Sequence, residues 1–503
     1  MKKIGVKIIF LIFAFSLTSL YVYADMGDMG YFGGISEGTN LPKTIEKYVP
    51  VKPQKSRTMR YKEVVYISGE PIEVEGTIKV TKNDSVIDTK DMGSYTENYY
   101  ISATNAEKKC TLTRDIKFTT SFYYVDGEFK KQIVRDSNVT SWKEKIVVDS
   151  VTYNLDNTFS TYSLTGVEDI TPGVSYYDTS VSYDARFISS DNETYNIRTE
   201  GSVYGYDQPW SKVESGKYNM DIIGPNDRMQ ITLNPSLEAK KTMYYDKTSP
   251  FPISFDGTYN QRLEREASLK YNITTNHPNL TKAQKENGVT ISTPNQIEKL
   301  PIPAGLDFLE SNPASEHMKK LYSMEIMKEI PHKSMQLEAI SRGEFIKTVC
   351  LAMNIDTSKY IVTTRSRNKN PMEIIFGDVK PDHPLYPYIM AAYDAKLIKG
   401  VGDVFNVSKP ISRQEAFCIL IRVIGLEKIG KIDNTVTPFK DDYNISPWAR
   451  KAILAGYKLG IIEEKEGYLY PTKWLAKIEA SAIIDNLIDY LREDISSYYR
   501  KIQ

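Results

Sequence analysis

Two spacings of apolar residues divide the chain. From Met59 to Tyr271 apolar and polar positions alternate: Ile72, Val74, Ile78 and Val80 fall on one side of an extended chain, Glu73, Glu75, Thr77 and Lys79 on the other. The run from Ile116 to Val125, the turn Asp126-Gly127 and the run from Phe129 to Val134 predict a hairpin. Further strands are expected over Ile146 to Val148, Val151 to Leu155, Thr158 to Leu164, Val174 to Ile188 and Thr194 to Tyr206. Others are expected over Lys217 to Ile223, Met229 to Leu233, Met243 to Asp246 and Leu269 to Ile273. Turn signals separate these runs and no helical stretch offers a crossover, so pairing should be antiparallel. The expectation is an all-β domain over residues 57–276, built as one antiparallel sandwich or twisted sheet, or as two small sandwiches.

Past residue 305 the spacing becomes helical. Ser341-Arg342-Gly343-Glu344 opens an apolar helical stretch, recurs as Ser412-Arg413-Gln414-Glu415, and returns in looser form as Ala476-Lys477-Ile478-Glu479. Ser followed three positions later by Glu is a capping box, which explains both residues. The cation between them is not explained by capping, because a positive charge at the first helical position opposes the helix dipole. One reading is that unpaired helix amides and the cation together hold an anion; the other is that the cation pairs with a neighbouring carboxylate.

The surroundings recur too. Phe376-Gly377-Asp378-Val379, Tyr386, an apolar stretch from Ile389 to Ile398, Gly400, Gly402, Phe405 and Pro410 precede the second box. Phe439-Lys440-Asp441, Trp448, Ile453 to Ile462, Gly467, Tyr470 and Pro471 precede the third. In the first copy Asp307 stands for the Asp and Met318 to Ile326 for the first helix, without the Trp or the glycines. This order resembles the surface-layer homology family over about residues 305–492. The resemblance implies three modules, at 305–370, 371–434 and 435–498, packed as a pseudo-threefold all-α bundle. It further implies non-covalent binding of anionic secondary cell-wall polysaccharide on a Gram-positive-type cell, often at a pyruvylated sugar. By the same resemblance Arg342 and Arg413 would contact the ligand carboxylate, with Lys477 in the third position. Asp378, Asp441, Trp448, Gly400 and Gly402 would shape the grooves. Lys477 keeps the charge but not the forked geometry of Arg.

The amino terminus agrees with a surface location. Lys2, Lys3 and Lys7 precede the apolar run from Ile8 to Leu20, and Val22-Tyr23-Ala24 offers small residues for cleavage, so residues 1–24 read as a secretory signal. No later segment is apolar enough to span a bilayer. Residues 25–56, rich in Gly and charge, are expected to be a flexible segment. Residues 277–304 carry Pro278, Pro294, Pro301 and Pro303 and read as a semi-extended linker.

Composition narrows the chemistry. Zero formal net charge gives no nucleic-acid surface along the chain. Cys110, Cys350 and Cys418 are too few and too distant for a disulfide framework, and the last two fall in apolar helices as buried thiols. The histidines, His277, His317, His332 and His383, all lie outside the β-domain, which removes His-dependent triads and ordinary zinc sites from that domain. No phosphate loop or calcium loop occurs, and no cofactor is expected. The sequence therefore points away from an enzyme, with a carboxylate-pair carbohydrate hydrolase in the β-domain as the alternative. The chain has 36 tyrosines against 4 tryptophans. Neighbours such as Tyr99-Tyr100 and Tyr176-Tyr177 should point to opposite faces, one into the core and one outward, where it could stack on sugar rings. The β-domain would then face outward in a structural, adhesive or glycan-binding role.

Overall fold

The computed structural model describes residues 33–37, 56–88, 92–247, 257–274, 280–306, 309, 314–361, 374–399, 404–430, 436–462, 466–493 and 495, with no side-chain description at 84–88. The expected signal at 1–24 and most of the expected flexible segment lie outside these residues, as do Asp307, Gly400 and Gly402.

The alternating region forms one antiparallel sheet of 14 strands, not two stacked sheets. Long strands such as β3 (Ile72–Asp88), β5 (Cys110–Asp126), β6 (Lys131–Val148) and β12 (Arg228–Asp246) pair with their chain neighbours. Two short strands, β7 (Val151–Leu155) and β8 (Thr161–Ile170), share one strand's place between β6 and β9 (Ser175–Ser189). The sheet rolls until its ends meet. β14 (Glu286–Pro301) lies against β2 (Ser56–Val65), where the Arg60 guanidinium donates to the Ser292 carbonyl at 2.9 Å. The buried β1 (Gly34–Ser36) pairs with β2 at that seam. One piece of the expected flexible segment is thus part of the sheet.

The residues expected to form a linker also belong to the roll, because β14 pairs with β13 (Thr258–Ile273) almost throughout. Pro294 sits where the register slips between Leu263 and Arg265, and Pro301 closes the strand. Both are positions at which a strand tolerates a missing amide donor. Proline content suggested a spacer, but an edge strand with a bulge accommodates the same residues.

A roll this wide explains the tyrosines. An eight-stranded barrel is about filled by ordinary side chains, and more strands enclose more volume. Here the interior takes Tyr61, Tyr218, Phe118, Phe187, Arg135 and Lys212, all nearly solvent-free. Gly201 and Gly205 make room for rings lying across the inner face: a Cβ at either would come within 2.7 Å of Tyr218 or the Tyr177 hydroxyl. Tyr99 is buried at 8% exposure and Tyr100 is 43% exposed, so adjacent tyrosines do divide between faces. The outer face is polar, with Thr111, Thr113, Lys117 and Ser121 exposed along β5. That is the inverse of a lipid-facing barrel. Among the described residues no helix is long and apolar enough to cross a membrane.

The remaining helices close into a ring. After the short α1 (Lys282–Lys285) come α2 (Ser315–Ser323), α3 (Arg342–Ala352), α4 (Tyr386–Asp394), α5 (Arg413–Val423), α6 (Arg450–Lys458) and α7 (Lys477–Glu493). The first helix of each module packs on the second helix of the preceding one: α4 on α3, α6 on α5, and α2 back on α7.

The bundle seals one mouth of the roll. A helix C-terminus leaves carbonyls without partners, and here side chains of the roll supply them. Thr171 Oγ1 donates to the Val423 carbonyl at 3.1 Å, and Tyr176 Oη to that of Ile424 at 2.9 Å. Gln208 Nε2 and Ser211 Oγ reach the Leu491 carbonyl at 2.7 and 2.8 Å. Val174, Tyr206, Trp210, Val213 and Tyr259 join the apolar core of the helices. At the rim Lys396 pairs with Asp126 at 2.8 Å and Lys399 with Glu128 at 2.5 Å. The two regions meet across a packed interface, where the linker reading anticipated few contacts.

Candidate functional site

The three boxes meet at the opposite end of the helices from the roll. Just before each box one apolar residue joins a cyclic set of backbone bonds: Ile411 N to Ile340 O at 3.1 Å, Leu475 N to Ile411 O at 3.0 Å, and Ile340 N to Leu475 O at 2.9 Å. The capping pattern is present at Ser341 and Ser412, where Glu344 and Glu415 accept from the backbone amides at 3.0 and 2.9 Å. Glu479 does the same for the Ala476 amide at 3.1 Å.

The helix amides expected to hold an anion are already used. Arg342 N and Gly343 N donate to the carbonyls of Lys409 and Val407, Arg413 N and Gln414 N to those of Lys473 and Pro471, and Lys477 N to that of Glu338. What remains for a ligand is side-chain charge. Each cation reaches the box Glu of the next module in the ring: Arg342 to Glu415 at 2.5 Å, Arg413 to Glu479 at 3.9 Å, and Lys477 to Glu344 at 3.3 Å. The carboxylate-pairing reading of the boxes thus describes all three cations, with a partner in another module.

The pairs are unequal. Arg342 is tied at Nη1 to Glu415 and at Nε to the Phe405 carbonyl at 3.2 Å. Arg413 spends Nε on the Leu469 carbonyl at 2.8 Å, while its nominal partner Glu479 is held more closely by Lys473 at 3.0 Å. Its side chain is only 13% exposed, and this burial depresses the guanidinium pKa against the opposing pull of Glu479 and Asp441. Burial raises the Glu344 carboxyl, but hydrogen bonds from Ser341 and the charge of Lys477 outweigh it and leave its pKa below the usual value.

Asp378 and Asp441 fix the loops facing these cations. Asp378 accepts from the amides of Phe405 and Val407 at 2.7 and 3.1 Å, and Asp441 from those of Leu469 and Tyr470 at 2.9 and 2.8 Å. Both carboxylates are therefore engaged by backbone. Tyr470, at φ 56°, is thereby turned outward in the segment that bonds the start of α5, and stacks with Tyr468 at 5.5 Å between centroids. Trp474 is exposed beside the Lys409 ammonium, 5.9 Å from the ring centroid. Trp448 is 58% exposed, two residues past Ser446, whose amide donates to Gln414 on α5 at 3.0 Å. Arg413 and Trp448 thus both adjoin the start of α5. Arg342 and Lys477 lie at the other two junctions.

Sequence reasoning missed Tyr470, Trp474, Lys409 and Lys473. Phe405 corresponds to the buried Leu469, whereas Tyr470 takes the left-handed place that Asn406 holds in the preceding repeat (φ 56° and 61°), so the repeat pattern gave no aromatic signal at that position.

Residues 375–417 and 438–473 match the family described as the S-layer homology domain. The second and third modules are S-layer homology domains, and the chain is a protein of the cell wall and S-layer surface. It is 30% identical over 154 residues, 30% of its length, to an exoglucanase, XynX, of Acetivibrio thermocellus and to an amylopullulanase of Thermoanaerobacterium thermosulfurigenes. It is 29% identical over 89 residues, 18% of its length, to a cell surface protein of Thermoanaerobacter kivui. The matched stretches span 13%, 8% and 12% of those relatives' own lengths.

In the roll, Glu63 and Glu144 approach one another through Arg114, which holds Glu63 at 3.0 Å and Glu144 at 2.6 Å. All three are buried, and a carboxylate pair clamped on a guanidinium is not poised as acid and base on either side of a glycosidic bond. Among the described residues no His, Cys, Asp and Glu group is arranged to hold a metal.

Proposed function

We propose that the protein is a non-covalently tethered surface protein whose bundle binds an anionic secondary cell-wall polysaccharide chiefly at the junction of modules two and three. The observation that carries this reading is Arg413. It is a mostly buried cation whose carboxylate partner is distant and shared with Lys473. A carboxylate on the polymer, such as a pyruvyl group, would complete its forked hydrogen bonding. Tyr470, Trp474 and Trp448 offer exposed rings for sugar faces, and Lys409 and Lys473 add positive charge. Arg342, tied at Nε to Phe405 and at Nη1 closely to Glu415, and Lys477, lacking the fork, are weaker candidates. The roll, docked at the other end of α5 and α7, would project away from the wall in a structural, adhesive or glycan-binding role.

The test is binding of the full chain to purified wall polymer by sedimentation and calorimetry. Arg413→Ala should weaken binding at least about ten-fold, the effect of losing one charge-assisted interaction, and Lys477→Ala should weaken it less. Chemical removal of the polymer's acidic groups should abolish the difference between wild type and Arg413→Ala. Equal losses at Arg342, Arg413 and Lys477 would replace a single preferred junction with a diffuse charge effect.

A further inference from the structure

The three junctions of the ring are alike in backbone and differ in one side chain. Three residues before each box, a carbonyl accepts the amide of a cation from another module. Lys409 O accepts from Arg342 N at 2.9 Å, Lys473 O from Arg413 N at 3.0 Å, and Glu338 O from Lys477 N at 2.8 Å. The same place in the ring is thus held by Lys, Lys and Glu.

That exchange inverts the charge of one junction. Between modules two and three, Arg413 and Lys473 share a single carboxylate, Glu479, at 3.9 and 3.0 Å. Two positive charges meet one negative. Between modules three and one, Glu338 and Glu344 share a single ammonium, Lys477, at 3.9 and 3.3 Å. Here two negative charges meet one positive. Between modules one and two the place keeps its cation, Lys409, whose ammonium lies by the Trp474 ring.

Glu338 is held where it stands. Ser334 Oγ donates to its carboxylate at 3.2 Å, and His332 Nε2 lies 3.8 Å away. The side chains of Glu338 and Glu344 are 43% and 31% exposed, that of Lys477 only 11%. An incoming anion therefore meets two carboxylates before it meets the ammonium between them. Hydrogen bonds from Ser341 and the charge of Lys477 keep Glu344 ionised at neutral pH.

We propose that Glu338 bars the acidic polymer from the third junction, leaving the wall-binding cations usable at the other two alone. The proposal rests on the reading of Arg413 as a polymer contact. It adds a like-charge barrier to the missing fork of Lys477, since an anion placed against fixed carboxylates is disfavoured whatever else it touches. Lys409 and Lys473 are the permissive counterparts. Because the carboxylates are part-exposed, salt screens the barrier.

The experiment uses the full chain in calorimetry at low salt. The probe is a size-fractionated acidic oligosaccharide released from purified wall polymer, with the same oligosaccharide stripped of its acidic groups as control. In a chain already carrying Arg413→Ala, Glu338→Lys should raise affinity at least about five-fold. The gain should vanish with the stripped oligosaccharide and shrink at high salt. Glu238→Lys makes the same change of charge at an exposed site on β12 of the roll and should alter affinity by less than about two-fold. Glu338→Gln keeps an acceptor for Ser334 and removes the charge; it should give a smaller gain, and it carries the test if Glu338→Lys does not fold. Lys473→Glu, made in the otherwise unaltered chain, should weaken binding by building the same barrier at the preferred junction. If Arg413→Ala alone weakens binding but neither Glu338 variant recovers any, or Glu238→Lys recovers as much, the barrier is overturned and the Arg413 reading stands. If Arg413→Ala binds like the unaltered chain, both fall.

Discussion

The roll and the bundle use the same chemistry, Arg or Lys against Glu, to different ends. In the roll, Arg114 with Glu63 and Glu144, Arg135 with Glu168 at 2.5 Å, and Lys212 with Glu214 at 3.0 Å lie among rings with almost no exposure. In the bundle, the box cations and their partners keep part of their surface in water, with the Glu side chains 26–31% exposed. Buried pairs cost much desolvation and are costly to break, whereas half-exposed pairs contribute little to folding and are free to exchange partners. The difference teaches that position in the fold decides whether such a pair is a fastener or a ligand site.

The sharpest break of this comparison is Arg114→Met. It would leave Glu63 and Glu144 without their cation and should lower stability by about 3–5 kcal/mol in denaturant unfolding. A loss under about 1 kcal/mol would place the roll's pairs in the same class as the bundle's.

The interface between the regions supplies the next test. Lys241 is nearly solvent-free beside Trp210, with Arg492 on the same ring, and its pKa is brought down to about 7 by burial and by Arg492, Glu298 opposing. Between this value and the unfolded value of about 10.4 the unfolded chain binds more protons than the folded one. Stability should therefore rise with pH from about 7 towards 10, by a few kcal/mol at most. Lys241→Met should flatten that rise in melting curves taken across the range.

Smaller effects are expected in the bundle. Asp441→Asn turns an acceptor of two buried amides into a poorer one and should cost about 1–3 kcal/mol, with a parallel loss of polymer binding as Tyr470 loses its place. Burial raises the Asp378 pKa, but the amides of Phe405 and Val407 outweigh it and hold the carboxyl below the usual range. Its contribution is present above the unfolded pKa and should be lost only as acid brings the pH through the lower folded value. The smallest change is expected for Arg342→Ala, under about 1 kcal/mol in stability because the Glu415 pair is part-exposed.

The sequence spoke most clearly where period and chemistry coincided. Alternation located β5, β9, the strand Thr194–Asp207 and the Asp126-Gly127 turn, and the two ends of β6 but not its middle, and the boxes located the starts of α3, α5 and α7. Rolling of the sheet was not legible, because alternation specifies which side faces inward and says nothing about what lies across. β14 was hidden by its prolines, whose tolerance depends on being at an edge and at a bulge. The boxes revealed their cations, but the partner of Arg342 is Glu415, 73 positions away, and only ring closure of the modules brings them together. Occupation of the helix amides by the next module's carbonyls was invisible for the same reason.

A tether is finally tested by force. The ring of backbone bonds through Ile340, Ile411 and Leu475 joins the last module to the first as firmly as to the second. The returning α7 is also fastened by Gln208 and Ser211 to the roll from which β14 departs. Tension between wall and roll is therefore shared along parallel routes, and neither module two nor module three can peel away before a bond in the ring and a cap at the mouth have both been sheared. An open string of modules would fail at its weakest link; this closed one must fail by concerted rupture.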